Sequence, residues 1–233
     1  MADATTADEQ PPSSPAPESA TATDTPTEYP SLRPALHLRV GTWSPTVVGS
    51  LSRGTPLTVV PLVGGTLVSE PGYPVRVDAS MRGNGADYVH TDPDGGRMRL
   101  RTDMVMADDN GETIHVHYTG IVDINADMRR ILGRSENARS TEYGHACALS
   151  RSPPVLLMAG LQQQSVLGFA SNADTHAVIH VTFETGSMRY KALEQGVFVG
   201  AGRFVLEDGD LKVEYRISQV FRGGVPGEVP SAR

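Results

Sequence analysis

The sequence contains a single cysteine, Cys147, so no disulfide can form within the chain. No Asn-x-Ser/Thr glycosylation site occurs either, and both absences fit a reducing, cytoplasmic setting. Nothing near Cys147 in sequence would activate a thiolate, so it reads as a small core residue. No apolar run approaches the ~18 to 20 residues that span a bilayer, and the first residues lack the basic and hydrophobic regions of a signal peptide. Neither a membrane span nor export is therefore expected. Lys and Arg nowhere cluster, which argues against nucleic acid or an anionic membrane as partner. Gly-x-Ser-x-Gly, P-loop and dinucleotide fingerprints are missing too, so no redox or nucleotide cofactor is expected.

What the chain does have is unevenly spread. Residues 1–30 are Ala, Thr, Ser, Pro and acids, with no Val, Ile, Leu or Phe. Such a stretch cannot bury enough apolar area to offset the entropy of ordering, and residues 1–34 are expected to be a disordered acidic tail. The six acids of residues 1–30 meet no Lys or Arg there, and without them the formal charge of −7 falls to −1. A nearly neutral body remains, spanning 35–221, followed by a Gly- and Pro-rich tail over 222–233.

Within that body, short β-rich runs alternate with Gly, Pro, Asn and Asp punctuation, the spacing of an all-β, mainly antiparallel protein. Eleven runs read as strands: 36–40, 57–62, 65–69, 74–80, 86–91, 98–107, 113–121, 143–149, 177–185, 197–207 and 211–221. They suffice for a closed or nearly closed β-barrel, the arrangement that removes exposed sheet edges. Two short helices are expected. One, Asp127 to Gly133, starts at an acid and ends at a glycine, and the other runs from Ser187 to Glu194. Residues 150–174 fit neither pattern and read as an insertion.

The sharpest local feature is Ile114-His115-Val116-His117-Tyr118, in which alternation puts both imidazoles on one strand face. The preceding run, Arg97 to Met106, alternates as well, with Met98, Leu100, Met104 and Met106 on one side. A three-residue Asp109-Asn110-Gly111 turn, with Gly111 left-handed, sets Asp103 opposite His117, Val105 opposite His115 and Arg101 opposite Thr119. This register aligns the apolar faces of the two strands, which a two-residue turn would not do. The polar face then either lines a pocket or forms the wet outside of the barrel. A His-x-His also suits a metal, but no third ligand is in reach by sequence and no metal is expected. Gly200 and Gly202 lie inside a β-run, where close packing against another strand explains them. Glu184 stands on the same strand face as His180 and Thr182, placed either for chemistry or for a structural pairing.

Several segments in order resemble the DUF3237 (UPF0311) family. They are Val63-Gly64-Gly65-Thr66, Gly85-Ala86-Asp87-Tyr88, Asp109-Asn110-Gly111 with Ile114 and Gly120, Thr141-Glu142-Tyr143, Phe183-Glu184-Thr185-Gly186, and Phe198-Val199-Gly200-Ala201-Gly202-Arg203. The resemblance implies a compact β-barrel and, by kinship with members in natural-product biosynthesis, cofactor-free rearrangement or ring closure of small organic molecules. The expectation is an isomerase or cyclase working by acid/base catalysis on a small, largely apolar molecule. In it His117 is the acid/base, Asp103 positions it, and His115 and Arg101 orient the substrate. Asp87, Tyr88, Trp43, Glu184 and Phe198 are the substrate-binding candidates. A lipocalin-like binding protein and a metal-dependent cupin-like enzyme are the alternatives. If the polar face lines the pocket, the methionine stripe lies outside and needs either helices or a second subunit to cover it, and a homodimer or larger assembly is expected.

Overall fold

A computed structural model describes residues 29–144 and 177–222. Cys147, the 150–174 insertion, nearly all of the acidic N-terminal tail and most of the C-terminal tail lie outside the described residues. In chain order the elements are β1 (Ser31–Thr42), β2 (Thr46–Ser50), β3 (Pro56–Ser69), β4 (Asp78–Met81), β5 (Asn84–Thr91), β6 (Arg97–Ala107), β7 (Thr113–Asp123), α1 (Ala126–Leu132), β8 (Ala177–Glu184), α2 (Lys191–Glu194), β9 (Phe198–Glu207) and β10 (Asp210–Phe221).

Eight of these strands form a ring of antiparallel pairs, β1–β10–β9–β8–β7–β6–β5–β3, which closes because β3 also pairs with β1. The short strands β2 and β4 attach to β3, and β4 also touches β6. The chain is therefore a barrel, as its punctuation predicts. None of its described helices is long and apolar enough to cross a membrane.

The β6–β7 hairpin has the expected register throughout, with Asp103 opposite His117, Val105 opposite His115 and Arg101 opposite Thr119. The turn that fixes it is the three-residue one. Gly111 takes φ 81° and returns its N–H to the carbonyl of Asp108, while the Asp108 N–H bonds the carbonyl of Glu112. The strand expected over 57–62 and that over 65–69 are one element, β3. Its bend at Gly64 and Gly65 lets the chain change partners from β5 to β1. A Cβ on Gly65 would sit 2.7 Å from the carbonyl oxygen of Arg39, so only glycine admits that approach.

The direction of the faces corrects the sequence reading. Met98, Leu100, Met104 and Met106 point into the barrel and are buried, whereas Arg97, Arg99, Arg101 and Val105 point out. The ring decides this. With Leu36, Leu38, Val116, Ile179 and Val181 on the concave side of neighbouring strands, only the methionine face of β6 completes a continuous apolar core. The polar face of the hairpin is the outer wall. The methionine stripe is thus covered within one chain, and the reason for expecting a second subunit is removed.

The two barrel ends differ. At one end, Phe183, Phe198, Tyr190 and Leu193 fill the interior, with Phe198 edge-on to Phe183 at 5.0 Å. At the other, α1 lies across the opening. Asn125 caps the helix by accepting the N–H of Met128, and Met128 and Ile131 are its buried residues. The chain beyond α1 straps onto β9, where the N–H of Thr141 reaches the carbonyl of Phe204 and that of Gly144 the carbonyl of Gly202.

Candidate functional site

The open end encloses a cavity of about 680 Å³ between the barrel wall and α1. Its walls are largely apolar, with Val60, Val89, Leu100, Ile131, Phe204 and Val213 among them. Trp43, at the bend between β1 and β2, stands on the rim and is 64% exposed. Deeper in, two polar side chains face the cavity, Asp87 from β5 and Tyr215 from β10.

Alternation on β5 puts Asp87 on the inner face between Gly85 and Val89. There it pairs across strands with Thr102, which in turn pairs with Tyr118. Tyr118 and Tyr215 are both wholly buried, their ring centroids 5.1 Å apart. Asp87 as a residue is half-buried and reached through the cavity, but its Oδ1 atom is sealed from solvent. Neither Oδ1 nor the equally buried Thr102 hydroxyl has an aligned hydrogen bond from the protein. Burial pushes the Asp87 carboxyl up to about 6, and the nearby Thr102 hydroxyl and Arg101 backbone offset only part of that. Burial first, and then the Asp87 charge, raises the Tyr215 hydroxyl far above the ordinary tyrosine value. Tyr118 is raised well above it too, by burial and then by Tyr215 and Asp87.

The floor therefore joins a carboxyl that can carry or release a proton near neutrality to a phenol that stays protonated. Two such groups with well-separated pKa values are what acid/base chemistry at one site requires. Room for the Tyr215 ring is made by Gly202, where a Cβ would stand 2.5 Å from Cε1 of that ring. Close packing between strands is thus the role of this glycine, as read from the sequence.

The expected catalytic residues do come together, but on the outer wall. His117 Nδ1 lies 2.9 Å from Asp103 Oδ1, and His115 Nε2 lies 3.3 Å from the same oxygen. His115 Nδ1 is 3.0 Å from Glu184 Oε2, and Arg101 Nε is 3.8 Å from Asp103 Oδ2. The pairing is as foreseen, yet the face is convex and wet, so the premise that it lines the barrel pocket does not hold. Among the described residues, no three His, Cys, Asp or Glu side chains are grouped to hold a metal ion.

Of the substrate-binding candidates, Asp87 and Trp43 border the cavity. Tyr88 points outward beneath the Arg101 guanidinium, Glu184 is on the outer wall, and Phe198 is core at the opposite end. Tyr215 and Thr102 escaped the sequence reading. Tyr215 shares the alternating face of Val213 and Ile217, which marks it as core and carries no sign of chemistry.

The sequence profile of DUF3237, a family described as proteins of unknown function, matches residues 30–220. The chain belongs to the DUF3237 family. Solved structures similar to it include a conserved protein of unknown function from Rhodopseudomonas palustris, 18% identical with a TM-score of 0.58, covering 83% of this chain and 99% of that one. A β-barrel-like protein from Acinetobacter baumannii is also 18% identical, with a TM-score of 0.54, covering 86% of this chain and all of that one. An enzyme from Penicillium herquei, 14% identical, covers 86% of this chain and all of its own, but its TM-score of 0.46 is too low to carry its description over. Among curated proteins, none matches the sequence. These likenesses establish the barrel for this DUF3237 member and leave its activity to the chemistry of its cavity.

Proposed function

We propose that this DUF3237 protein isomerises or cyclises a small, largely apolar molecule in the cavity at the open end of the barrel, with Asp87 as the acid/base. The observation that carries this reading is the Asp87 carboxyl. It sits at the floor of an apolar chamber with a buried oxygen lacking a protein donor and a pKa pushed up to about 6. A carboxyl that lines the cavity and is held at this pKa can take a proton from a substrate hydroxyl or activated C–H. Asp87 takes that proton, the bonds of the substrate rearrange, and the proton returns at another atom. Tyr215 hydrogen-bonds the oxygen on which charge develops. Since the proton leaves and returns, the reaction as written asks for no metal and no redox cofactor. General acid/base catalysis of this type is worth ~10² to 10⁴ in rate.

The test is a panel of apolar hydroxyl- and carbonyl-bearing small molecules, followed by the fluorescence of Trp43, the chain's one tryptophan, and by product analysis. Turnover should rise with pH through about 6 as Asp87 ionises. Asp87→Asn should bind the same molecules and lose turnover. Unchanged turnover in that variant would sink the assignment, and binding without product from any binder would favour a lipocalin-like carrier.

A further inference from the structure

Among the described residues lining the cavity, Arg134 is the one cationic side chain. It stands at the mouth, two residues beyond the end of α1, and is exposed. No hydrogen bond or ion pair holds its guanidinium among the described residues. Asp210, on the rim at the β9–β10 turn, forms no ion pair with it. The Arg134 backbone adopts φ 50°, and Arg134 is one of only two positive-φ non-glycine residues described. The reason is local. The Ser135 N–H reaches back to the carbonyl of Arg130 and the Arg134 N–H to that of Ile131, the paired bonds that close a helix through a left-handed residue. Glycine fits that position without strain, so an arginine there is held at a conformational cost.

A helix dipole alone gives little reason to keep the charge. The helix has seven residues and a wet C-terminus, where such effects are small and screened. The surrounding charge points the same way as Arg134. Residues 126–140, which form this side of the mouth, carry Arg129, Arg130, Arg134 and Arg139 against Asp127 and Glu136. The cavity is therefore polarised along its depth. A carboxyl seeking a donor lies at the floor, apolar walls stand between, and an uncommitted guanidinium waits at the mouth.

We infer that the ligand of this cavity is an amphipathic carboxylate, held at the mouth by Arg134 with its apolar body against the barrel wall and its donor-bearing end at Asp87. This rests on the reading of the cavity as the substrate site. The planar guanidinium offers two parallel N–H donors to a carboxylate, and the exposed setting limits the gain to about 3- to 5-fold in affinity.

The probes are ω-hydroxydecanoate and its methyl ester, titrated against the whole chain with Trp43 fluorescence as readout. The variant is Arg134→Gly, which keeps the left-handed turn and so keeps the fold. In the unaltered protein the acid should bind about 3- to 5-fold more tightly than the ester, and added salt should narrow the gap. In Arg134→Gly the two should bind alike, with the ester affinity unchanged. Equal binding in the unaltered protein, or a preference that survives in Arg134→Gly, overturns the inference and leaves the Asp87 reading standing. Failure of both probes to move Trp43 overturns both.

Discussion

Replacing Asp87 by asparagine keeps the shape of the side chain and removes its charge, and the stability change that follows is set by proton linkage. Asp87 titrates at about 6 in the folded chain against an ordinary value of 3.8. Between these two values the folded state holds the proton that the unfolded state has released, so stability falls as pH rises through this window and levels off above it. The full separation is worth about 3 kcal/mol. Asp87 is half-buried and wetted through the cavity, so ~1–2 kcal/mol of that cost remains at neutral pH. Asp87→Asn should therefore raise stability by ~1–2 kcal/mol at pH 7.5, or about 2–8 °C in Tm, and by nearly nothing at about pH 3.5. Urea unfolding of both proteins from pH 3.5 to 8 measures it, provided the difference between them is plotted, because every other group then cancels. A difference that does not vary with pH, or an Asp87→Asn protein less stable at pH 7.5, would refute the argument that this carboxyl is desolvated at the cavity floor.

The outer-wall cluster predicts a different pattern. His117→Ala and Asp103→Asn should leave turnover and ligand binding unchanged and shift stability by no more than about 1 kcal/mol, since exposed ion pairs contribute little. A tenfold loss of turnover in either variant, with the fold intact by circular dichroism, would restore the dyad to the chemistry. Gly202→Ala places a methyl group 2.5 Å from the Tyr215 ring, so it should cost about 1–3 kcal/mol in urea unfolding and displace the phenol from the cavity floor. An unchanged denaturation midpoint would show that the ring has more freedom than its burial implies.

Local chemistry made the β6–β7 hairpin legible. Alternation over 97–107 and 113–119, joined by Asp109-Asn110-Gly111, leaves one register that keeps methionine opposite valine and isoleucine. The same alternation is silent about which face is concave, because a strand carries two faces and curvature belongs to the ring. Asp103 and Asp87 show the consequence. Each is an acid in a β-run beside aliphatic residues, yet one ends on the wet wall and the other on the cavity floor, opposite Thr102. The cavity itself was also hidden, since it is assembled from six of the eight ring strands, from β2 and from α1, whose shared rim appears only when the ends of these elements are brought together. Strand β2 went unrecognised for a related reason. Its five residues are almost all exposed, so it carries no burial period to read.

The seam between β1 and β10 joins the first and last of the described strands, with Ser31 opposite Phe221 at one extreme and Gly41 opposite Lys212 at the other. Few contacts in the molecule span more of the chain. Closing so large a loop carries a high entropic cost and is reached late, which makes for a slow-folding barrel. Until β10 docks, β1 and β9 each present an unpaired edge, and the methionine-lined interior faces water as an open sheet. A chain cut short after Glu207 should therefore accumulate as aggregate during synthesis, because the strand that seals the barrel is made after every other described strand.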